Sequence, residues 1–111
     1  MKLSYAICVC NESRDLFSLV SFLLKVKDEE DEINVLVDSK NVTQEVRDVL
    51  KTFEKNISVS ERSFCGNFSD HRNFHNSVCK GEYIFVIDAD EMPQELFIKN
   101  IKSVIRENKC E

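Results

Sequence analysis

Two carboxylates stand one residue apart at the end of an uncharged apolar run, a pattern that could bind a metal ion. The run, residues 83–87, contains only β-branched and aromatic residues and predicts a strand buried on both faces. Asp88 and Asp90 follow it, and side chains two residues apart in an extended chain point to the same side. Two carboxylates this close repel each other unless a cation or a proton lies between them. Because Mg²⁺ and Mn²⁺ prefer oxygen ligands and commonly keep positions for water and phosphate oxygens, we expect one of these ions at Asp88 and Asp90.

Two more acidic residues follow apolar runs earlier in the chain. Glu12 comes soon after the run 3–9, and Asp38 directly follows the run 33–37. If these runs are strands of one parallel sheet, their carboxyl ends meet the carboxylate pair at a single edge, where open α/β sheets bind ligands. The sequence therefore predicts a cleft in which Asp38 accepts hydrogen bonds from a ribose hydroxyl or a base N–H. Arg72 is a candidate partner for a phosphate.

The segments between and after these runs repeat apolar residues at helical spacing. With a weak third strand over residues 57–60, four strands alternate with four helices. This order predicts an α/β fold, a three-layer sandwich around a mostly parallel sheet of about four strands. We expect Ser13 to cap the first helix, Asn41 and Gln44 to form a capping box on the second, and Gly81 to end the third.

Length and composition limit the classes of protein to which the chain could belong. With 111 residues, 42% of them hydrophobic, the chain suits a single domain over residues 1–111. The net charge of −5 argues against a nucleic-acid partner. The longest apolar stretch, residues 16–24, is too short to span a bilayer, so no membrane association is expected. Five cysteines without a paired spacing favour reduced thiols and a cytoplasmic protein.

Several nucleotide-binding and phosphate-binding classes do not match the sequence. Neither G-x-G-x-x-G nor G-x-x-x-x-G-K-[ST] occurs, which excludes the dinucleotide-binding and P-loop classes, so a metal ion and side chains must hold any phosphate. A flavodoxin-like phosphoacceptor domain stays an alternative, although the later strand carrying a lysine is missing. The Asp-x-Asp of haloacid dehalogenase-type enzymes follows the first strand, unlike the pair at Asp88 and Asp90.

Two other pairs of side chains have simpler explanations than ligand binding. His71 and His75 lie one helical turn apart, but no third ligand at a suitable spacing supports a zinc site. We expect them at the helix surface or along the cleft. Cys8 and Cys10 share one face of the first strand, where packing accounts for them.

The chain resembles the GT-A fold of family 2-like glycosyltransferases over about residues 3–95. The resemblance rests on three segments, residues 3–12, 33–38 and 67–91. The last is the most specific, because an Arg-Asn pair, then Gly-Glu-Tyr-Ile, then Asp-x-Asp keep the family's order and spacing. A bare Asp-x-Asp is too common to identify a family.

The resemblance implies a metal-dependent site for a nucleotide sugar, usually a UDP sugar. Asp88-Ala89-Asp90 would be the DXD motif, which holds Mn²⁺ or Mg²⁺ against the diphosphate. Asp90 would be the direct metal ligand and Asp88 would lie nearer the ribose. The ion would act as a Lewis acid on the leaving UDP.

The resemblance also implies the residues that contact the rest of the donor. Val9, Asn11 and Glu12 would line the nucleoside pocket, with Asp38 on the base. Arg72 and Asn73 would lie beside the diphosphate or the sugar.

Family members normally continue into a second half that supplies the acceptor site and, in inverting enzymes, a catalytic Asp or Glu. We therefore expect a truncated, minimal GT-A (Rossmann-like) domain that binds a UDP-hexose, above all UDP-glucose or UDP-galactose. It would transfer the sugar to an unknown acceptor or slowly hydrolyse the donor. Beside Asp90, the candidate catalytic residue is Glu91, the nearby carboxylate without another assignment.

The alternative is a non-catalytic nucleotide-sugar-binding module that needs a partner to supply the acceptor site. A homo-oligomer could supply it. In the last helix we expect an inner face of Phe97, Ile101, Val104 and Ile105, and an exposed apolar edge at Leu96, Ile98 and Ile105.

Overall fold

The uncharged β-rich runs form strands, and the amphipathic segments between them form helices. The structure is a computed structural model that describes residues 1–64 and 67–109. Its elements are β1 (Leu3–Val9), α1 (Ser13–Val26), β2 (Glu32–Asp38), α2 (Gln44–Thr52), β3 (Ser58–Arg62), α3 (Phe68–Val78), β4 (Tyr83–Asp88) and α4 (Glu95–Lys109). All strand pairs are parallel, in the order β3-β2-β1-β4. The predicted α/β fold is confirmed, with a sheet that is entirely parallel in its described part. None of the described helices is long and apolar enough to cross a bilayer.

β1 lies between β2 and β4, and its side chains alternate between two covered faces. On one face, Tyr5 and Ile7 pack with the buried apolar residues of α1, α2 and α4. α3 covers the other face, where His75 contacts Cys8 of β1 and Asn34 of β2. The helices thus form a layer on each side of the sheet, as predicted.

β4 is less buried than predicted. In the described part of the chain it pairs only with β1 and forms one edge of the sheet. Ile87 is buried, but Val86 is 42% exposed, because an edge strand is covered by a neighbour on one side only. The prediction of a strand buried on both faces was therefore wrong, although the strand itself forms where expected.

Two helix caps differ from those predicted. Ser13 is already the first residue of α1, and the N-cap residue is Glu12, whose side chain does not cap the helix. α2 is capped by Thr43, whose hydroxyl accepts a hydrogen bond from the backbone. Asn41 does not form the expected capping box, because it lies two residues before the N-cap position, and its side-chain amide donates to Asp38.

Gly81 packs against β1 and does not end a helix. α3 ends at Val78 and the chain is already extended at Cys79. The N–H of Gly81 donates to the hydroxyl of Ser4 at 2.7 Å. A Cβ atom at position 81 would lie only 2.6 Å from the backbone nitrogen of Ser4, so glycine is required by this close approach.

The inward face of α4 also differs from the prediction. The inner residues are isoleucines three or four positions apart: Ile98, Ile101 and Ile105. Phe97 and Val104, expected inside, are 44% and 42% exposed, because each lies next in sequence to an inward isoleucine and so about 100° around the helix from it. Of the three residues expected to form an exposed apolar edge, only Leu96 is exposed, so that basis for a homo-oligomer is absent.

A cluster of ion pairs fixes α4 to the amino-terminal end of the sheet. Nζ of Lys102 lies 2.8 Å from Asp28, 2.6 Å from Glu30 and 3.1 Å from Asp31. Oδ1 of Asp31 also accepts the N–H of Leu3 at 2.9 Å. The cluster therefore joins α4 to the loop before β2 and to the first residue of β1.

Candidate functional site

A cavity of about 550 Å³ opens at the carboxyl ends of β1, β2 and β4, and α3 forms one wall. Small-molecule sites commonly have volumes of roughly 300–1,000 Å³. We call it the donor cavity, after the ligand expected there from the sequence. The described residues that line it are Cys8, Val9, Cys10, Glu12, Asp38, Asn41, Phe64, His71, Arg72, His75, Asn76, Val86, Asp88, Ala89 and Asp90. Parallel sheets present their ligand sites at this edge.

The structure brings most of the predicted site residues together in the donor cavity. Those that line it are Val9, Glu12, Asp38, Arg72, Asp88, Ala89 and Asp90. The predicted residues outside its lining are Asn11, Asn73 and Glu91. Asn11 and Asn73 are exposed, while Glu91 lines a separate cavity of about 290 Å³ beside Met92 and Pro93.

Asp88 and Asp90 reach the donor cavity from a turn at the end of β4. Only Asp88 belongs to the strand, whereas Ala89 and Asp90 lie in the turn, so the two-residue period of an extended chain does not orient them. The N–H of Ala89 donates to the carbonyl of Cys8 at 3.3 Å, which ties the turn to β1. Within the described residues, neither carboxylate accepts a hydrogen bond or forms an ion pair. Both are therefore available to a ligand.

The charges of the cavity suit a cation. Four carboxylates line it, and Arg72 is the one described lining residue with a positive charge at neutral pH. No group of three or more candidate metal ligands occurs among the described residues. Asp88 and Asp90 fit an ion such as Mg²⁺, which commonly takes one or two carboxylates and completes its coordination with water and substrate phosphates.

Asp38 organises two loops at the end of β2. Its Oδ1 accepts the N–H groups of Lys40 and Phe64, each at 3.1 Å, and its Oδ2 accepts the side-chain amide of Asn41 at 2.7 Å. The hydrogen bond from Asn41, together with those from Phe64 and Lys40, lowers the pKa of the Asp38 carboxyl. Asp38 thus stays ionised and fixes Phe64 in the cavity wall.

Glu12 shapes the loop between β1 and α1. Its Oε2 accepts the N–H of Cys10 at 2.9 Å and the N–H of Asn11 at 3.1 Å. This explains why Glu12 occupies the N-cap position without capping α1, because its carboxylate turns back to the loop.

A thiol–imidazole pair, Cys8 and His75, forms part of the cavity wall. Nε2 of the buried His75 lies 3.1 Å from both the carbonyl oxygen and Oδ1 of Asn34, so Nε2 carries the hydrogen. Nδ1 is then an acceptor, 3.6 Å from Sγ of Cys8. Burial lowers the pKa of His75, while burial and the nearby Asp88 charge raise the pKa of Cys8, so both groups are neutral at neutral pH. Cys8, Cys10 and Cys79 are free thiols, and the other two cysteines lie outside the described residues.

His71 and Phe64 complete the wall on the α3 side. Their rings meet edge to face with centroids 5.4 Å apart. Nδ1 of His71 is buried and has no hydrogen-bond partner among the described residues. Burial and the charge of Arg62 lower the pKa of His71, so this ring too is neutral at neutral pH.

Several lining residues were given no role in ligand binding from the sequence. His75 and Asn76 lie three and four residues after Arg72 on α3, so helical periodicity applied from Arg72 places them on the same face, and His71 is the residue before Arg72. Cys8, Cys10 and Asn41 lie at or shortly after the carboxyl ends of strands. Ligands bind at these ends in parallel sheets, and this rule, which identified Glu12 and Asp38, applies to them too. Phe64 had no comparable signal, because its place depends on the hydrogen bond to Asp38.

The chain matches the family model described as glycosyl transferase family 2 over residues 4–110. It is similar to S. aureus TarS 1-349 in complex with UDP, with 23% identity and a TM-score of 0.79 over 96% of this chain and 32% of that one. The TarS complex with UDP-GlcNAc gives 20% identity and a TM-score of 0.71 over the same shares. The mannosyltransferase PcManGT from Pyrobaculum calidifontis, in complex with GDP-Man and Mn²⁺, gives 13% identity and a TM-score of 0.69 over 88% and 30%. No curated protein matches the chain.

The chain spans about a third of the length of TarS 1-349 and of PcManGT. Their similarity establishes the fold, which is the GT-A, Rossmann-like fold expected from the sequence. The family match extends over nearly all of the chain. This chain belongs to glycosyl transferase family 2.

Proposed function

We propose that this domain binds a UDP-hexose, such as UDP-glucose or UDP-galactose, through Mn²⁺ or Mg²⁺ and transfers the sugar to an acceptor. The observation that carries the proposal is the pair of uncommitted carboxylates, Asp88 and Asp90, at the carboxyl end of a parallel sheet in a cavity of about 550 Å³. The UDP in a TarS complex and the GDP-Man and Mn²⁺ in a PcManGT complex support this choice of ligand class.

The side chains around the carboxylate pair suit the parts of a nucleoside diphosphate. Asp38 and Val9 line the part of the cavity between β1 and β2, where the base and ribose would lie with Asn11 and Glu12. Arg72 lines the cavity from α3 and would pair with the diphosphate, with Asn73 next to it on the helix.

Asp90 would hold the metal ion directly and Asp88 would lie nearer the ribose. When bound, the ion supplies Lewis-acid stabilisation of the negative charge that develops on the nucleoside diphosphate as the glycosidic bond breaks. Arg72 adds a second positive charge beside the same diphosphate. The protein's own contribution is to orient the donor and to concentrate positive charge at its leaving group.

A second candidate function is a donor-binding module whose acceptor site comes from a partner. The described carboxylates around the donor cavity favour it, because Glu12 and Asp38 already accept hydrogen bonds and Glu91 lies outside the lining. Asp88 and Asp90 would be occupied by the metal ion. No carboxylate among these residues is then left as a base for an acceptor hydroxyl.

Release of UDP from UDP-glucose, measured with Mn²⁺ or with a chelator, tests the proposal. We expect metal-dependent release by the wild type and background release by Asp90→Ala. Asp48→Ala is the control, since it removes an exposed carboxylate from α2, outside the donor cavity. Release that survives in Asp90→Ala would contradict the proposal. Metal-dependent binding of UDP without release would favour the donor-binding module.

A further inference from the structure

At the carboxylate pair, one backbone N–H group of β4 points away from β1, toward the outer edge of the sheet. Ala89 donates its N–H toward β1, to the carbonyl of Cys8. Successive N–H groups along a strand point in opposite directions, so the N–H of Asp88 points to the open edge. The carboxylate of Glu91 accepts it there, with an N to Oε1 distance of 2.9 Å.

Glu91 also closes the turn through its backbone. Its N–H donates to the carbonyl of Asp88 at 2.9 Å, the bond between the first and fourth residues of a β-turn. Ala89 and Asp90 are the two central residues of this turn. On the inner side of the turn, Ala89 is 3% exposed and its N–H is bonded to β1. On the side that faces solvent, the Glu91 carboxylate accepts the N–H of Asp88.

From this geometry we infer that Glu91 is a positioning residue, which holds the turn of Asp88 and Asp90 in the conformation that receives a metal ion, and that it is not the catalytic base. The inference rests on the proposed function. A carboxylate that accepts a backbone N–H gives a charge-assisted hydrogen bond, which is stronger than a bond between neutral groups. Both residues that would meet the metal ion lie within the turn that this bond closes.

The position of the Glu91 side chain distinguishes a positioning residue from a catalytic base. A base must reach the hydroxyl proton that it removes, directly or through one water. The Glu91 side chain instead lies on the far side of β4, beside Phe85 and Met92, and its Oε1 is already occupied. A glutamine at this position keeps an oxygen that accepts the Asp88 N–H, but it cannot act as a base at neutral pH.

Amide hydrogen exchange, followed by NMR without any ligand, tests whether Glu91 holds the turn. We expect the Asp88 amide to be protected in the wild type and in Glu91→Gln, and to exchange at least about tenfold faster in Glu91→Ala. The Ala89 amide, bonded to Cys8, is the internal control and should keep its protection in all three proteins. Equal protection of the Asp88 amide in Glu91→Ala and the wild type would overturn the inference.

Calorimetric binding of UDP with Mn²⁺ tests the effect on the metal site. Loss of one charge-assisted hydrogen bond predicts an affinity about five- to tenfold weaker for Glu91→Ala, and within about twofold of wild type for Glu91→Gln. Glu95→Ala, which removes an exposed carboxylate paired with Lys99, is the matched control and should bind as the wild type does.

Turnover separates positioning from base catalysis. A positioning residue predicts that Glu91→Gln keeps the wild-type rate of UDP release. A loss of about 100-fold or more in Glu91→Gln, with binding unchanged, would identify a base and overturn the inference. If the wild type binds no nucleotide, the proposed function fails, while the exchange of the Asp88 amide still decides whether Glu91 holds the turn.

Discussion

Sγ of Cys8 lies 3.6 Å from Nδ1 of His75, and this contact joins β1 to α3 in the wall of the donor cavity. The other ring nitrogen of His75 is satisfied by Asn34 of β2. One imidazole thus connects two strands with the helix that carries Arg72. The position of the cavity wall therefore depends on a neutral histidine.

The stability of the protein should fall as the pH decreases from 7 to 5.5. Burial lowers the pKa of His75 below its usual value near 6.5, so the unfolded chain takes up a proton in this range that the folded chain does not. The contribution is present above the unfolded pKa and is lost as the pH falls below it. Each such group contributes at most about 1.4 kcal/mol per pH unit to the slope of the free energy of unfolding against pH.

Chemical denaturation at several pH values measures this slope. The free energy of unfolding of His75→Gln should depend less on pH than that of the wild type, even if its absolute stability is lower. His71→Gln should flatten the slope less, because the His71 side chain is less buried. An unchanged slope in His75→Gln would show that His75 already titrates normally in the folded chain.

Lys102→Met should destabilise the fold by about 1–3 kcal/mol, because it leaves the buried carboxylate of Asp31 without its charged partner. Lys99→Met is the matched control on the same helix. Lys99 pairs only with the exposed Glu95 among the described residues, so its loss should change stability by less than about 0.5 kcal/mol. Equal effects of the two substitutions in urea unfolding would contradict the importance of the Lys102 cluster.

Gly81→Ala should destabilise the protein by about 1–3 kcal/mol through a steric conflict with β1. The added Cβ atom would lie 2.6 Å from the nitrogen of Ser4 and 2.7 Å from its hydroxyl oxygen, which accepts the Gly81 N–H. Lys80→Ala changes the exposed residue next to it and should be nearly neutral. Wild-type thermal stability of Gly81→Ala would mean that this approach of residue 81 to β1 is absent in solution.

The sequence predicted those parts of the fold that depend on local hydrophobic patterns. β1 forms over residues 3–9 as expected, because its uncharged run has no competing pattern. The caps were predicted wrongly because the helices do not begin where the capping residues were expected. Ser13 already lies inside α1, and α2 begins after Thr43 rather than after Asn41.

The candidate site was predictable where it lies at strand ends, and less so where it depends on packing. Glu12, Asp38 and the carboxylate pair could be placed on one edge because parallel strands share a direction. The pairing of Cys8 with His75 required the position of α3 over β1, which no local pattern gives. The role inferred for Glu91 likewise depends on β4 being an edge strand, which its uniformly apolar sequence did not indicate.

The binding of UDP through a metal ion at Asp90 is the central claim. Calorimetric titration of UDP into the wild type and Asp90→Ala, with and without Mn²⁺ and with GDP and ADP as controls, tests it most directly. We predict that the wild type binds UDP in the presence of Mn²⁺, more tightly than it binds GDP or ADP, and that removal of Mn²⁺ or of the Asp90 carboxylate abolishes binding. Absence of nucleotide binding by the wild type, or equal metal-dependent binding by Asp90→Ala, would contradict the claim.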